Sequence, residues 1–187
     1  IDYSYVRKPP NAEHIFGTDN IGRDIFSRAL WGGRDSLRVG MFAVLISIVG
    51  GVILGLFSAF AGGLVDNLIQ RFVDLTFAFP TILLLLSIVA ILGPNLTTIL
   101  IAIGISGIPG YSRLMRGSVL QALNTEYVLA ERLVGAGNLR IMFRHILPNI
   151  LAPLLLQGTV ALAFAILTEA SLSYVGLGTQ PPDPPCG

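Results

Sequence analysis

Three stretches of this chain contain no Asp, Glu, Lys or Arg: residues 39–65, 75–112 and 146–168, which are 27, 38 and 23 residues long. A helix needs about 20 apolar residues to cross a hydrocarbon core of roughly 30 Å, so each gap is long enough for at least one crossing. Composition agrees. Of 187 residues, 53% are hydrophobic and 12% charged, with a mean hydropathy of +0.74, whereas a soluble domain carries about 25% charged residues. Too little polar material is present to cover a water-facing surface, which excludes a free cytosolic enzyme. The net charge of +1 excludes the basic field that nucleic-acid binding needs. The single cysteine, Cys186, excludes a disulfide framework and a CxxC metal site.

The charge map divides the chain into an expected polar segment (1–36), a membrane-spanning domain (37–180) and a short closing loop (181–187). The chain starts at Ile1 without a signal-peptide pattern and stops after a proline cluster, so it reads as a fragment. Within the polar segment, Asp24 to Leu30 is expected as a short interfacial helix with Trp31 at headgroup depth. The first span is expected from about Leu37 to Phe60. It contains Gly51 and Gly55, a small-xxx-small spacing that admits close approach of another helix, although glycine is also simply frequent in membrane helices. The 38-residue gap is too long for one helix at 1.5 Å per residue. Gly93-Pro94-Asn95 divides it into spans at about Ile69–Leu92, kinked or started at Pro80, and Leu96–Met115. A fourth span runs from about Asn149 to Tyr174. The expected fold is all-α, a polytopic transmembrane bundle with four spans and both ends on one side. Six basic residues fall on each side of it, namely Arg7, Lys8, Arg23, Arg28, Arg34 and Arg38 against Arg71, Arg113, Arg116, Arg132, Arg140 and Arg144, so the positive-inside rule does not orient the chain.

Several chemistries lack their residues. Lys8 is the only lysine and no glycine-rich loop precedes it, so the phosphate cradle needed for nucleotide hydrolysis is missing. His14 and His145 have no acidic companions at metal-ligand spacing, and no GxSxG is present. The chain is expected not to be an enzyme and to bind no cofactor.

The most informative stretch joins the third and fourth spans. In Asn124–Asn149, Asn124 or Thr125 caps a short helix with Glu126 in its first turn. Tyr127, Ala130 and Val134 share a face, and Gly135 ends the helix in a left-handed conformation. After Asn138, a second helix is expected to place Leu139, Met142, Phe143 and Ile146 on one face and Arg140 and Arg144 on the other. Periodicity alone leaves an amphipathic linker lying in the headgroups equally open.

Aligned on Gly135, the stretch resembles the EAA loop of ABC-importer permeases in the version typical of the dipeptide/oligopeptide/nickel family. Ala130 matches the first alanine, Leu147-Pro148 the closing LP, and Arg144-His145-Ile146-Leu147-Pro148-Asn149 the family's RHxLPN variant. Leu129 stands at the usual Glu, Glu131 at the second Ala and His145 at the Ile; the first and third changes are usual in the peptide branch. Three further segments are similar to the same family: Phe16–Arg28 to GTDxxGRDxxSR; Gly62-Gly63 with Asp66, Arg71, Asp74 and Pro80 to GGxxDxxxxRxxDxxxxFP; and Glu169–Pro182 to ExxLSFLGLGxxPP.

The resemblance implies the C-type subunit of a type I importer, with one further span at each end of the full protein. It also implies a multi-pass location in a bacterial or archaeal cytoplasmic membrane, and orients residues 1–36 outside with loop 118–148 in the cytoplasm. The implied partners are cytoplasmic ATPase subunits that hydrolyse ATP, a second homologous permease, an extracytoplasmic solute-binding protein and the lipid bilayer, with no nucleic acid. The implied cargo is di- or oligopeptides or nickel-like solutes. Tyr127, Ala130, Val134 and Gly135 become candidates for docking to the ATPase, with Glu131 and Arg132 at the polar rim and Leu147 and Pro148 closing the motif. Asp66, Arg71, Asp74 and Glu169 are candidate polar residues of the pathway or of interhelix contacts. Gly104, Gly107, Pro109 and Gly110 weaken the third span, either to line a path or to pack closely. The alternative from another class is a non-transport structural or assembly subunit that recruits a cytoplasmic partner.

Overall fold

A computed structural model describes residues 6–175. The closing loop 181–187, the Gly176–Pro182 part of the last motif and Cys186 lie outside the described residues. Three helices are long and apolar enough to cross a membrane: α1 (Ile25–Ala61), α4 (Leu96–Ala122) and α8 (Leu151–Tyr174). A bent pair, α2 (Gly63–Ala78) and α3 (Thr81–Leu92), is apolar and long enough for a fourth when its two halves are taken together. Between α4 and α8 lie the short helices α5 (Glu126–Leu133), α6 (Asn138–Arg140) and α7 (Leu147–Asn149), with a π turn at Ile141–Ile146 between the last two.

α1 differs from expectation in where it starts. The interfacial helix and the first span are one continuous helix of 37 residues, about 55 Å long at 1.5 Å per residue. Asp24 sets its beginning, accepting a hydrogen bond from the Ser27 backbone N–H at 2.8 Å, the usual work of an N-cap carboxylate. The GTDxxGRD segment before it folds around Asp19, whose carboxylate accepts from the N–H groups of Ile21 (2.8 Å) and Arg23 (2.9 Å) and from the Arg28 guanidinium (2.5 Å). Partial burial alone would raise the Asp19 pKa, but the bonds from Arg23, Ile21 and Arg28 outweigh it and hold the carboxyl below its usual value.

The second span also differs from expectation. It is not a kinked rod: α2 and α3 meet at 89°. Pro80 drives the preceding residue out of the helical region, and Phe79 accordingly has φ −91° and ψ 133°. α3 is 12 residues long, about 18 Å, and falls short of the full core thickness by itself. The charges of the segment, Asp66, Arg71 and Asp74, all lie on α2.

α1 and α4 form the central pair and run parallel. Ser47 Oγ donates to Gly104 O at 2.7 Å, and Gly51 and Gly55 lie against Tyr111 and Met115. A Cβ on Gly51 would overlap the Tyr111 Cβ, and one on Gly55 would lie 2.6 Å from the Met115 Cβ and from Ser112 O. The small-xxx-small spacing thus lets α1 and α4 approach closely. α8 runs antiparallel to α1, with Gly40 against Leu162 and Ile166 and Ser36 against Glu169. The helical turns of residues 123–150 close over the C-terminal end of α1, where Leu56, Met115, Val119, Val128, Ile141 and Ile146 form a buried cluster.

Candidate functional site

Two features combine chemistry with accessibility: the surface of α5 and a polar cavity among the spanning helices.

α5 is held from below and bare above. Val128 is fully buried against Ile141, Ile146 and the end of α4. Thr125 occupies the N-cap position, but its hydroxyl donates back to Ala122 O at 2.5 Å rather than capping α5. Beyond the helix, Gly135 takes φ +82°. The Gly135 N–H bonds to Arg132 O and the Ala136 N–H to Glu131 O, both at 3.0 Å, the paired closure of a Schellman motif. A side chain at Gly135 would meet no neighbour, so the constraint there is the backbone conformation alone.

The expected docking residues Tyr127, Ala130, Val134 and Gly135 are all exposed, as is Arg132. Two residues outside that set share the surface. Leu133 is 88% exposed, more than Val134 at 80%, and Leu129 is half exposed. Leu133 falls where the EAA alignment specifies no residue, and Leu129 at its usual Glu; the signal for both was an apolar side chain on a short polar loop. Glu131, expected at the rim, instead turns back into the loop, its Oε1 3.4 Å from His145 Nε2. Two of the three departures from the EAA pattern, Glu131 and His145, are therefore spatial neighbours that tie α5 to the π turn.

The face expected for the second helix does not form. Ile141 and Ile146 are buried, Leu139 and Phe143 are exposed, and Met142 is half-buried. The cause is the π turn. Its i→i+5 ladder aligns residues five apart, which brings 141 and 146 together where a 3.6-residue period would not. Pro148 follows directly, and its ring crowds the carbonyl four residues earlier, which a widened turn relieves. Asn149 donates to His145 O at 2.8 Å and so satisfies a carbonyl that the disturbed ladder exposes. Leu147 is half-buried and Pro148 exposed.

The α2 charges pair across to α4 rather than among themselves. Asp66 accepts two bonds from Arg116, from Nε at 2.6 Å and from Nη2 at 2.5 Å, and a third from Ser58 Oγ at 2.5 Å. Gln70 donates to Ser58 Oγ at 2.9 Å. Asp74 accepts from Arg113 at 2.6 Å, and the same guanidinium lies 4.3 Å from the centre of the Phe77 ring. Arg71 is exposed and joins none of these contacts. Helical spacing placed it beside Asp74, but α4 packs on the α2 face that holds Asp66 and Asp74 and brings its own arginines. The Asp66–Arg116 fork is well shielded, with side-chain exposures of 13% and 31%. Removing one partner of a buried pair costs about 3–5 kcal/mol; for this partly shielded one we expect Asp66→Asn to lose roughly 2–3 kcal/mol by thermal unfolding in detergent. Exchanging the two residues, Asp66→Arg with Arg116→Asp, is expected to recover at least half of that.

Glu169 is not wet. It is 2% exposed, accepting from Ser36 Oγ at 2.7 Å and from Ser173 Oγ at 3.2 Å. It ties α8 to α1 at the end opposite α5.

The cavity, of about 290 Å³, opens between α1, the α2–α3 bend, α4 and α8. Ser47, Ser106, Tyr111, Gln157 and Thr168 are among its lining, with Gly107 and Gly110. The close packing expected for the glycines of the third span is present. Gly104 and Gly107 pack α4 against Ile46 and Ser47 of α1, while Gly107 and Gly110 also face the cavity. α4 stays a single helix through Pro109.

The sequence profile of the family described as binding-protein-dependent transport system inner membrane component matches residues 51–184. The chain belongs to this family. Among curated relatives, it is 48% identical over 178 residues to the dipeptide transport system permease protein DppC of Alkalihalophilus pseudofirmus, covering 95% of this chain and 59% of that one. It is 41% identical over 186 residues to the glutathione transport system permease protein GsiD of Pectobacterium atrosepticum, covering 100% and 62%. The chain thus spans about 60% of the length of these relatives. Its fold is similar to that of a chain in the inward-facing MetNI methionine ABC transporter, with a TM-score of 0.71, 20% identity, and coverage of 82% and 77%. An all-α, multi-pass bundle of the inner-membrane-component family is what the apolar helices of this chain build.

Proposed function

We propose that this chain forms the membrane path of an ATP-driven importer in the cytoplasmic membrane, moving short peptides or similarly sized solutes, and that α5 is the element through which a separate ATPase drives it. The observation that carries the reading is the combination at α5 of a buried anchor, a closed C-terminus and an apolar outer surface. Fully burying one Leu or Val side chain is worth about 1.5–3 kcal/mol, so Leu133 and Val134 favour a partner that covers them. The brace formed by Val128, Glu131 and His145 makes α5 move as one body with α4 and α8, and a partner's closure becomes displacement of the spans. The relatives' names, dipeptide and glutathione transport permeases, support peptide-like cargo. A second permease copy or homologue and an extracytoplasmic binding protein complete the assembly, and ATP is hydrolysed on the partner subunit.

Reconstitution tests the reading. The full-length permease, placed in proteoliposomes with its ATPase, partner permease and binding protein, is expected to hydrolyse ATP faster when short peptides are added, and to accumulate them. ATP hydrolysis indifferent to every peptide, with intact assembly, would sink the assignment in favour of a recruiting or structural role.

A further inference from the structure

At the C-terminal end of α1, an apolar groove of about 400 Å³ runs between this helix and the turns that follow α5. Its α1 wall extends from Val52 to Ala61, about 13 Å at 1.5 Å per residue, and lies inside the charge-free stretch 39–65. Leu139, Met142, Phe143 and Leu147 form the facing wall. The only polar side chain in the lining is that of Asn138. Phe57, Leu139 and Phe143 are each more than half exposed, so the two walls face each other without closing.

The rim of the groove is basic. Arg140 stands between the lining residues Leu139 and Met142, and Arg144 between Phe143 and Leu147. Neighbouring Cα atoms are about 3.8 Å apart, so both arginines leave the backbone at the groove's edge. Both are exposed, and neither guanidinium has a hydrogen bond or an ion pair among the described residues. Arg113 and Arg116 differ, being paired with Asp74 and Asp66, and within the loop Glu131 lies against His145. No acidic residue lines the groove.

We propose that this groove binds an anionic phospholipid from the leaflet on the α5 side, with one acyl chain along the α1 wall and the phosphate on Arg140 and Arg144. The apolar lining offers hydrogen bonds only at Asn138, so hydrocarbon is the occupant it suits, and the volume lies within the roughly 300–1,000 Å³ of small-molecule sites. An arginine at such an edge lays its aliphatic stem on apolar surface and keeps its head among the headgroups. There the planar guanidinium meets phosphate oxygens in a two-point fork. A zwitterionic lipid offers the same phosphate but brings a cation of its own, which two unpaired arginines repel; an anionic headgroup brings none. Basic sites beside spanning helices select anionic lipids for this reason. The assignment needs only that the chain lies in a membrane, and it stands whatever solute the chain transports.

The test places the full-length permease, with its partner permease and ATPase, in nanodiscs of phosphatidylcholine that contain a minor share of phosphatidylglycerol with a photoreactive group on one acyl chain. Phosphatidylcholine with the same label is the comparison, and crosslinked residues are mapped by mass spectrometry. In the wild type, phosphatidylglycerol is expected to label segments 52–61 and 138–147 roughly thirtyfold more than phosphatidylcholine does, since each arginine at an anionic surface is worth about 1 kcal/mol and 1.4 kcal/mol is tenfold. Arg140→Gln together with Arg144→Gln is expected to remove most of that preference without disturbing the fold, because neither side chain has a partner to lose. Arg71→Gln, at an exposed arginine of α2 that joins no contact, is expected to leave it unchanged. Equal labelling by the two lipids, a preference that survives the double variant, or one that Arg71→Gln lowers as much would overturn the site. So would a groove that no lipid labels, which is the result if another part of the longer chain covers it. Labelling that appears only once the ATPase is removed would overturn it too, and would make an acidic protein surface the partner of the two arginines.

Discussion

Gly51→Ala is expected to break the bundle although it adds a single methyl group. The new Cβ would overlap Tyr111 Cβ and approach Ser112 N at 2.8 Å. Neither atom is the end of a flexible side chain, so relief requires α1 and α4 to move apart along their whole contact. Overpacking a tight core costs about 1–3 kcal/mol and occasionally more, and a clash against backbone belongs at the upper end. Separation would also pull Ser47 away from Gly104 O and open the seam around Gly55. Thermal unfolding of the purified chain in detergent, read by helix content, is expected to show a loss of about 3 kcal/mol. Gly33→Ala, in the same helix, is the control: a Cβ there meets nothing within 4 Å, and the exchange should be neutral or mildly stabilising, since Ala is favoured over Gly by about 0.8–1.0 kcal/mol in a helix interior. Equal behaviour of the two variants would show that the α1–α4 approach is not what stabilises this fold.

The largest functional effect is expected at the tip of α5. Leu133→Asp together with Val134→Asp leaves Val128, the Schellman closure and the Glu131–His145 contact untouched, because both side chains project away from the loop. If a partner covers them, two apolar contacts worth about 1.5–3 kcal/mol each are replaced by buried carboxylates. Each 1.4 kcal/mol is tenfold in affinity, so retention of the ATPase during purification should fall by at least about a hundredfold. Peptide-stimulated ATP hydrolysis should disappear with it, while the permease itself remains in the membrane at wild-type amounts. Undiminished co-purification would mean that α5 is not the docking element.

Much of this was legible in the residues because it depends on local rules. The charge-free gaps located the spans, Gly93-Pro94-Asn95 the break between α3 and α4, and Gly135 the end of α5. The four ordered motifs pointed to the family that the profile and the relatives then showed. The misreadings share a physical cause. Face assignments assumed a 3.6-residue period, and the π turn before Pro148 replaced it with a five-residue repeat, burying Ile141 and freeing Phe143. Arg71 was placed with Asp74 by spacing within one helix, whereas the partners came from α4, some 40 to 50 positions away in the chain. Pro80 was readable as a kink, but its size was not: φ and ψ at Phe79 follow from proline sterics, whereas the right angle accompanies the docking of α2 on α4 through Asp66–Arg116 and Asp74–Arg113.

By itself, the sequence determined that this chain lies in a membrane, where its apolar helices fall, and that Gly135 ends the short helix between the last two of them. Those conclusions need only hydropathy, helix rise and turn chemistry, which act within a few residues of one another. Tertiary structure alone decided which glycines are contacts and which are open, that Glu131 meets His145, that Glu169 is buried against Ser36, and that six neutral polar residues line one cavity. Each of these depends on how two helices approach and rotate about their axes, a balance of packing summed over the whole bundle that no single stretch of sequence encodes.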